Sequence, residues 1–114
     1  MIHEMNLHPQ PFGMIAAGKK TIELRLLDEK RKQIAVGDIL VFTNTDTGEQ
    51  LRCEVKSLHV FPNFAVLYGA LPLEKCGYLP EELADARPED MDAYYAPAEQ
   101  KQFGVVGIEI ALID

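Results

Sequence analysis

The sequence predicts an α+β fold: a small, mostly antiparallel β-barrel of five or six strands, with three or four short helices across one end. Three observations predict it. Residues 50–57 alternate apolar and polar side chains, as a half-buried strand does. An Asp-Thr-Gly turn at 46–48 joins that segment to the strand before it as a hairpin. The last segment, 104–113, is apolar on both faces, which is typical of a central strand.

Length and composition limit the classes of protein to which the chain can belong. The 114 residues match one domain with one core, so we expect a single domain over residues 1–114. No apolar run approaches the roughly 20 residues of a membrane span, and the N-terminus is too polar for a signal peptide. We therefore expect a cytoplasmic protein without a membrane partner. In that compartment Cys53 and Cys76 should be free thiols, and the spacing of cysteines and histidines predicts neither a metal nor a cofactor.

The charge is unevenly distributed along the chain. The net charge is −7, which argues against a protein that coats nucleic acid non-specifically. Residues 18–32 hold six basic and three acidic residues, a net +3, which leaves −10 for the rest. A small basic patch on an acidic body favours a confined anionic ligand. Residues 28–32 by themselves are more typical of a solvated charged loop.

The first elements are a strand and a short helix. Residues 2–7 alternate as a strand, and Pro9 and Pro11 end it. Proline is well tolerated in the first turn of a helix, so Pro11 can open a helix over residues 11–17. Gly18 then provides the left-handed residue that stops this helix.

The next strand carries the most unusual combination of side chains. Residues 18–25 read Gly-Lys-Lys-Thr-Ile-Glu-Leu-Arg, and alternation from Thr21 directs Ile22, Leu24 and Leu26 to one face. The other face presents Thr21, Glu23 and Arg25. Lys20 is out of phase and joins this polar row only if the backbone turns after Gly18. An ordinary strand with a charged face in water has the same pattern.

A turn at residues 34–38 with Gly37 as its pivot precedes a buried strand at 39–44. In the return strand 50–57, the three residues expected to face the core are Leu51, Cys53 and Val55. Cys53 is therefore predicted to be a buried thiol and not a nucleophile. His59 is expected just after this strand, in a packing or hydrogen-bonding role.

The region before the last strand is predicted to be a helical insertion. Asn63 can cap a helix whose apolar residues recur at Phe64, Leu67, Tyr68 and Leu71, and which Pro72 ends. Residues 73–102 are predicted to be helical, with Pro80 and Pro88 each opening a short helix.

This insertion is acidic, with seven acids and one arginine in residues 81–99. We expect Leu83, Met91 and Tyr94 to form its packing face. The pair Tyr94-Tyr95 can either stack on a base or anchor the segment to the core.

Three blocks in order resemble the ASCH domain (activating signal cointegrator homology) of the PUA-like superfamily. They are Gly18-x-Lys20-x-x-Glu23-x-Arg25, Val36-Gly37-Asp38-Ile39 and Phe103-Gly104-Val105-Val106-Gly107-Ile108. The resemblance implies a PUA-like β-barrel with helices across its mouth and a polar cleft that receives RNA or a nucleoside. It also implies that the binding residues are those of the motif, namely Lys20, Thr21, Glu23 and Arg25.

The motif residues suit such a ligand chemically. Arg25 offers a planar fork to a phosphate or a base edge, and Lys20 offers a point charge. Glu23 can accept hydrogen bonds from exocyclic amino groups or sugar hydroxyls. The partner expected on this interpretation is single-stranded RNA, or a nucleotide or nucleoside.

Two alternatives remain open. Some small ASCH proteins resemble amidohydrolases that remove the acyl group of acetylcytidine, with the motif Gly-Arg-Lys-Thr-Ile-Thr-Ile-Arg. Lys20 and Thr21 match it, but Glu23 stands in place of the catalytic threonine, and Glu74 is a candidate for the distal glutamate. No catalytic residue can therefore be assigned. In the second alternative, Glu23 and Arg25 form an ion pair that only fixes the barrel mouth.

Overall fold

Five strands form one sheet in the computed structural model, which describes residues 1–113. Along the sheet the strands follow the order β1-β3-β4-β5-β2. Their bounds are β1 Ile2–Leu7, β2 Ile22–Leu26, β3 Ile39–Asn44, β4 Gln50–Phe61 and β5 Val105–Ile113.

Short helices connect these strands. The α-helices are α1 Pro9–Ala16, α2 Phe64–Ala70 and α3 Pro97–Phe103. Single or double turns of 3-10 helix lie at Arg31–Gln33, Leu73–Cys76, Pro80–Asp85 and Pro88–Ala93. None of the helices within residues 1–113 has the length and apolar character needed to cross a membrane.

The sheet is mixed but mostly antiparallel, which confirms the predicted fold class. β1 runs parallel to β3, with Ile2 opposite Ile39, and the other three pairings are antiparallel. β5 pairs on both sides, with β4 and β2, as its two apolar faces predict. The sheet curls into a half-barrel, and the helices between β4 and β5 lie against it.

The half-barrel stays open between its edge strands, β1 and β2. Cationic side chains cross this gap in place of a backbone ladder. The Arg25 guanidinium donates from Nη2 to the Asn6 carbonyl at 2.9 Å, and Lys30 Nζ donates to the Glu4 carbonyl at 2.8 Å. Arg25 therefore links the motif strand to the opposite edge of the sheet.

Two hydrophobic clusters fill the curl of the sheet. The first joins α1 to the centre of the sheet and includes Phe12, Leu40 and Phe42. The second packs the apolar row of β2 against α2 and the acidic segment. Its members are Ile22, Leu24, Leu26, Phe64, Leu67, Cys76, Met91 and Val105. The predicted inward face of the motif strand is thus confirmed, and so are the capping of α2 by Asn63 and the burial of Cys53.

The return strand is longer than predicted. It continues past Ser57 to Phe61, because an irregularity between Val55 and Ser57 shifts its register with β5 and lets the pairing resume. His59 therefore lies within β4, where its Nε2 is 3.3 Å from Glu109 Oε1 on β5. The strand was predicted to end at Ser57, with His59 just after it, because alternation alone does not reveal a bulge.

The acidic segment also differs from its prediction. Pro80 and Pro88 do open helical turns, but these are 3-10 helices, which rarely extend beyond a few residues. Of the predicted packing face only Met91 is buried, while Leu83 and Tyr94 are exposed. Tyr95 packs against the second cluster instead.

Candidate functional site

The turn after α1 brings Lys20 into the polar row of β2. Gly18 adopts φ 76°, a left-handed conformation that suits glycine. The backbone amides of Lys19 and Lys20 both donate to the Met14 carbonyl, at 2.9 and 3.2 Å. The backbone therefore does turn after Gly18, as was required for Lys20 to join the polar row. Its side chain lies beside Glu23.

Glu23 lies at the centre of the motif. Its side chain is 4% exposed, yet both carboxylate oxygens are engaged. Oε1 contacts Lys20 Nζ at 2.7 Å. Oε2 accepts from Arg25 Nε at 2.8 Å and contacts Arg25 Nη2 at 2.8 Å. One buried carboxylate therefore holds two cations in fixed positions.

The two cations decide the ionisation of Glu23. Burial alone would raise the pKa of this carboxyl, but the positive charges of Lys20 and Arg25 and their hydrogen bonds outweigh burial and lower it. The pKa of Arg25 is raised, because its attraction to Glu23 outweighs the cost of burial. Glu23 and Arg25 are thus both charged at neutral pH.

The trio opens into a cleft of about 770 Å³, within the size range of sites for small organic ligands. One wall comes from the end of β1 and from α1, including Asn6, His8 and Gln10. Gly77 lies directly over the Lys20 stem: a Cβ added there would be 3.3 Å from Lys20 Cδ. Gly77 therefore packs against the aliphatic part of Lys20, and both residues line the cleft.

A chain of hydrogen bonds forms the opposite wall. Tyr68 and Tyr78 share a 2.7 Å contact between their hydroxyls, and Tyr78 donates to Asp90 Oδ2 at 2.7 Å. Because the Tyr78 proton goes to Asp90, Tyr68 is the donor in the first contact. The pKa of Asp90 is lowered, first by the Tyr78 hydrogen bond and then by the backbone amide of Arg87. This wall presents negative charge to the cleft.

The charged residues that line the cleft do not make it cationic. Lys20 and Arg25 are balanced by Glu23, Glu82 and Asp90, a formal net charge of −1. The basic character of residues 18–32 is thus offset by the acidic segment, which sequence alone could not place beside the motif. No local sequence pattern around Tyr78, Glu82 or Asp90 predicts that these residues line the cleft.

Thr21 and Glu74 do not line the cleft. Thr21 lines a second hollow at the start of the motif strand, and its amide donates to the Lys75 carbonyl at 2.9 Å. Glu74 is exposed in the 3-10 turn that follows α2. Of the four motif residues predicted as binding residues, the structure therefore brings three together, Lys20, Glu23 and Arg25.

The two cysteines are free, as predicted, and both are buried. Burial raises the pKa of the Cys76 thiol to about 11, and that of Cys53 likewise to about 11. Cys76 lines the cleft beside Lys20, but it is protonated at neutral pH and so is a weak nucleophile.

The two tyrosines considered for base stacking differ in environment. Tyr95 stacks on Phe64, with ring centroids 6.3 Å apart and planes inclined by 16°, and belongs to the core. Both tyrosines line the cleft, but Tyr94 is 66% exposed and Tyr95 is half-buried. Tyr95 is therefore the hydrophobic anchor, and Tyr94 is the ring that is free to meet a ligand.

Comparisons with known proteins agree with this fold. The crystal structure of hypothetical protein PH0355 is 36% identical and superposes with a TM-score of 0.82, over 99% of this chain and all of the other. The solution NMR structure of protein PF0455 from Pyrococcus furiosus is 34% identical with a TM-score of 0.72, over 100% and 99% of the two chains.

A mutant ZmASCH protein from Zymomonas mobilis shares the fold at 13% identity, with a TM-score of 0.66 over 99% of this chain and 68% of its own. No curated protein matches the sequence. The family model of the ASCH domain matches residues 5–114, nearly the whole chain. The chain belongs to the ASCH domain family.

Proposed function

We propose that this protein binds RNA, or a nucleotide or nucleoside, with a base held in the cleft against Lys20, Glu23 and Arg25. The observation that carries the proposal is the buried Glu23 carboxylate, fixed between two cations at 2.7 and 2.8 Å at the end of an open cleft. A group this costly to bury is expected where its geometry serves a ligand.

The trio keeps hydrogen-bonding capacity for such a ligand. An ammonium has three donors and a guanidinium has five. Within residues 1–113, Arg25 uses Nε and Nη2 for Glu23 and the Asn6 carbonyl, and the Tyr95 hydroxyl is a further hydrogen-bond partner of its guanidinium. Lys20 Nζ contacts Glu23 and retains further protons. These donors suit the carbonyl and ring-nitrogen acceptors of a base, and Tyr94 can stack on its face.

The charge of the cleft favours the base over the phosphate as the bound part. With a formal charge of −1 on the lining, a phosphate placed beside Glu82 and Asp90 would meet like charges. A neutral base carries no such cost. Asp90 and Glu82 can in turn accept hydrogen bonds from exocyclic amino groups.

The amidohydrolase alternative has less support because the expected nucleophile is missing from the trio. Glu23 occupies the position where the resembled motif has threonine, and a carboxylate cannot be activated by a base as a hydroxyl can. Thr21 lines the second hollow instead of the cleft, and the Cys76 thiol has a pKa of about 11.

A pair of titrations on wild type and Lys20→Arg tests the proposal. One measures the affinity for a short single-stranded RNA and for cytidine by calorimetry. The other follows deacylation of acetylcytidine. Arginine keeps the positive charge but has a pKa above about 12 and does not act as a proton acceptor near neutral pH. We expect both proteins to bind, with a loss of about 1 kcal/mol in the variant from altered geometry, and neither to deacylate.

Lys32→Arg is the matched control, since Lys32 is an exposed lysine outside the cleft. It should bind like wild type. Deacylation by wild type that disappears in Lys20→Arg would establish the hydrolase in place of the binding protein. Wild type that binds neither RNA nor nucleoside would refute both.

A further inference from the structure

We propose that the second hollow is a phosphate site, which receives the backbone phosphate next to the base held in the cleft and so makes the ligand an RNA strand. This inference rests on the proposed function for the base, but the phosphate site can be tested without it. The hollow has a volume of about 440 Å³ and lies where β2, β4 and β5 meet the loop after α2.

The hollow has the opposite charge balance to the cleft. Lys56, Lys75 and His59 line it against the single carboxylate of Glu109, so its formal charge is +1 with a neutral histidine. The Thr21 hydroxyl adds a neutral donor. Lysine and threonine side chains both contact phosphate oxygens in nucleic-acid complexes.

Two of these groups are available to a ligand. Lys75 is exposed and forms no ion pair within residues 1–113. Lys56 contacts Glu54 at 3.0 Å, but its side chain is 50% exposed, so this pair is held weakly in water. The carboxylate in the hollow, Glu109, is already 3.3 Å from His59 Nε2.

The hollow and the cleft share one wall. Lys75 lines the hollow, and the next two residues, Cys76 and Gly77, line the cleft. In the segment just before β2, Thr21 lines the hollow and Lys20 lines the cleft, and the Thr21 amide donates to the Lys75 carbonyl at 2.9 Å. Adjacent residues of both chain segments therefore line the two sites, which lie side by side across this wall. Base and phosphate of the same strand can thus occupy both.

The first test uses inorganic phosphate as the probe and NMR amide shifts as the readout. We expect saturable shifts at Thr21, Lys56 and His59 in the full chain, with no shift at Arg25 in the cleft. Absence of shifts at the hollow would overturn the inference, whatever the cleft binds. Shifts at the hollow, with no binding of cytidine to the cleft, would leave the phosphate site in place and refute the proposed function.

The second test separates an RNA phosphate from a free one. A trinucleotide should bind more tightly than its nucleoside, and a methylphosphonate version without backbone charge should lose that advantage. The double variant Lys56→Gln, Lys75→Gln should lose about tenfold in trinucleotide affinity and bind cytidine normally. Its affinity should also depend less on salt, with the slope of log K against log salt changing by about 0.7 for the one phosphate that is no longer neutralised.

Lys32→Gln is the matched control for this variant. Lys32 is also 50% exposed at its side chain and contacts a glutamate, Glu29, at 3.5 Å, but it lies outside both sites. It should leave trinucleotide affinity unchanged. An equal loss in Lys32→Gln, or wild-type trinucleotide binding by the double variant, would overturn the inference. A thermal midpoint within a few degrees of wild type confirms that each variant is folded.

Discussion

Glu23→Gln is the substitution that measures what the buried trio contributes to stability. It removes the negative charge that holds Lys20 and Arg25, whose side chains are only 10% and 13% exposed, and it leaves two mostly buried cations close together. Removal of one partner from a buried ion pair costs about 3–5 kcal/mol. Arg25 keeps its bond to the Asn6 carbonyl, and both cations border the open cleft. We therefore expect Glu23→Gln to lower the free energy of unfolding by about 3 kcal/mol, the lower end of this range.

Urea denaturation followed by circular dichroism measures this cost, with Glu54→Gln as the control. Glu54 also pairs with a lysine two residues away, at 3.0 Å, but its side chain is 36% exposed. We expect the control to lose less than about 0.5 kcal/mol. A loss below about 1 kcal/mol in Glu23→Gln would refute the view that the trio is a tightly coupled, buried unit.

The pH dependence provides a second check on the same variant. The pKa of Glu23 is lowered from its ordinary 4.5 in the folded protein, so its contribution is complete above that value and is lost as the pH falls below it. The stability difference between wild type and Glu23→Gln should therefore shrink in acid. A difference that stays constant from neutral pH down to pH ~2 would show that Glu23 has an ordinary pKa.

Three other predictions concern glycine positions, the two neighbouring tyrosines and one surface carboxylate. Gly77→Ala should lower the thermal midpoint, because residue 77 has φ 111°, whereas Gly13→Ala in α1 should raise it, as nothing lies within 4 Å of the new Cβ. Tyr94→Ala should weaken RNA binding without loss of stability, while Tyr95→Ala should destabilise by about 3 kcal/mol; the reverse pattern would contradict the assignment of anchor and stacking ring. Asp38, whose pKa is lowered to about 2 chiefly by the hydrogen bond from His3, should contribute stability that is present above pH ~4 and lost towards pH 2, and Asp38→Asn should abolish this dependence in acid titrations.

The sequence was sufficient to predict the parts of the fold that depend on local pattern. Alternation located β2 and its buried row, a proline and a glycine bracketed α1, and the apolar last strand proved to be central. These features depend on the period of the chain and on backbone preferences, which a single sequence shows directly.

The parts that depend on tertiary contacts were predicted less well. Lys20 lies beside Glu23 because the backbone turns after Gly18. The alternation of side chains showed that such a turn was needed but not that it occurs. Thr21 shares its alternation with Glu23 but lies at the end of the strand, where the chain bonds the loop at Lys75 and the residue faces the second hollow. The acidic wall at Asp90 comes from a segment about 65 residues further along the chain, which no local pattern can place.

The central claim is that the cleft at Lys20, Glu23 and Arg25 binds a nucleobase. Its most direct test is the NMR signal of the Arg25 side-chain Nε–H during titration with cytidine or a short single-stranded RNA. Arg31 is an internal reference, since it pairs with Asp28 at 2.9 Å and lies outside the cleft. We expect a saturable shift of the Arg25 signal while the Arg31 signal stays in place. Tight binding that leaves the Arg25 signal unmoved would contradict it.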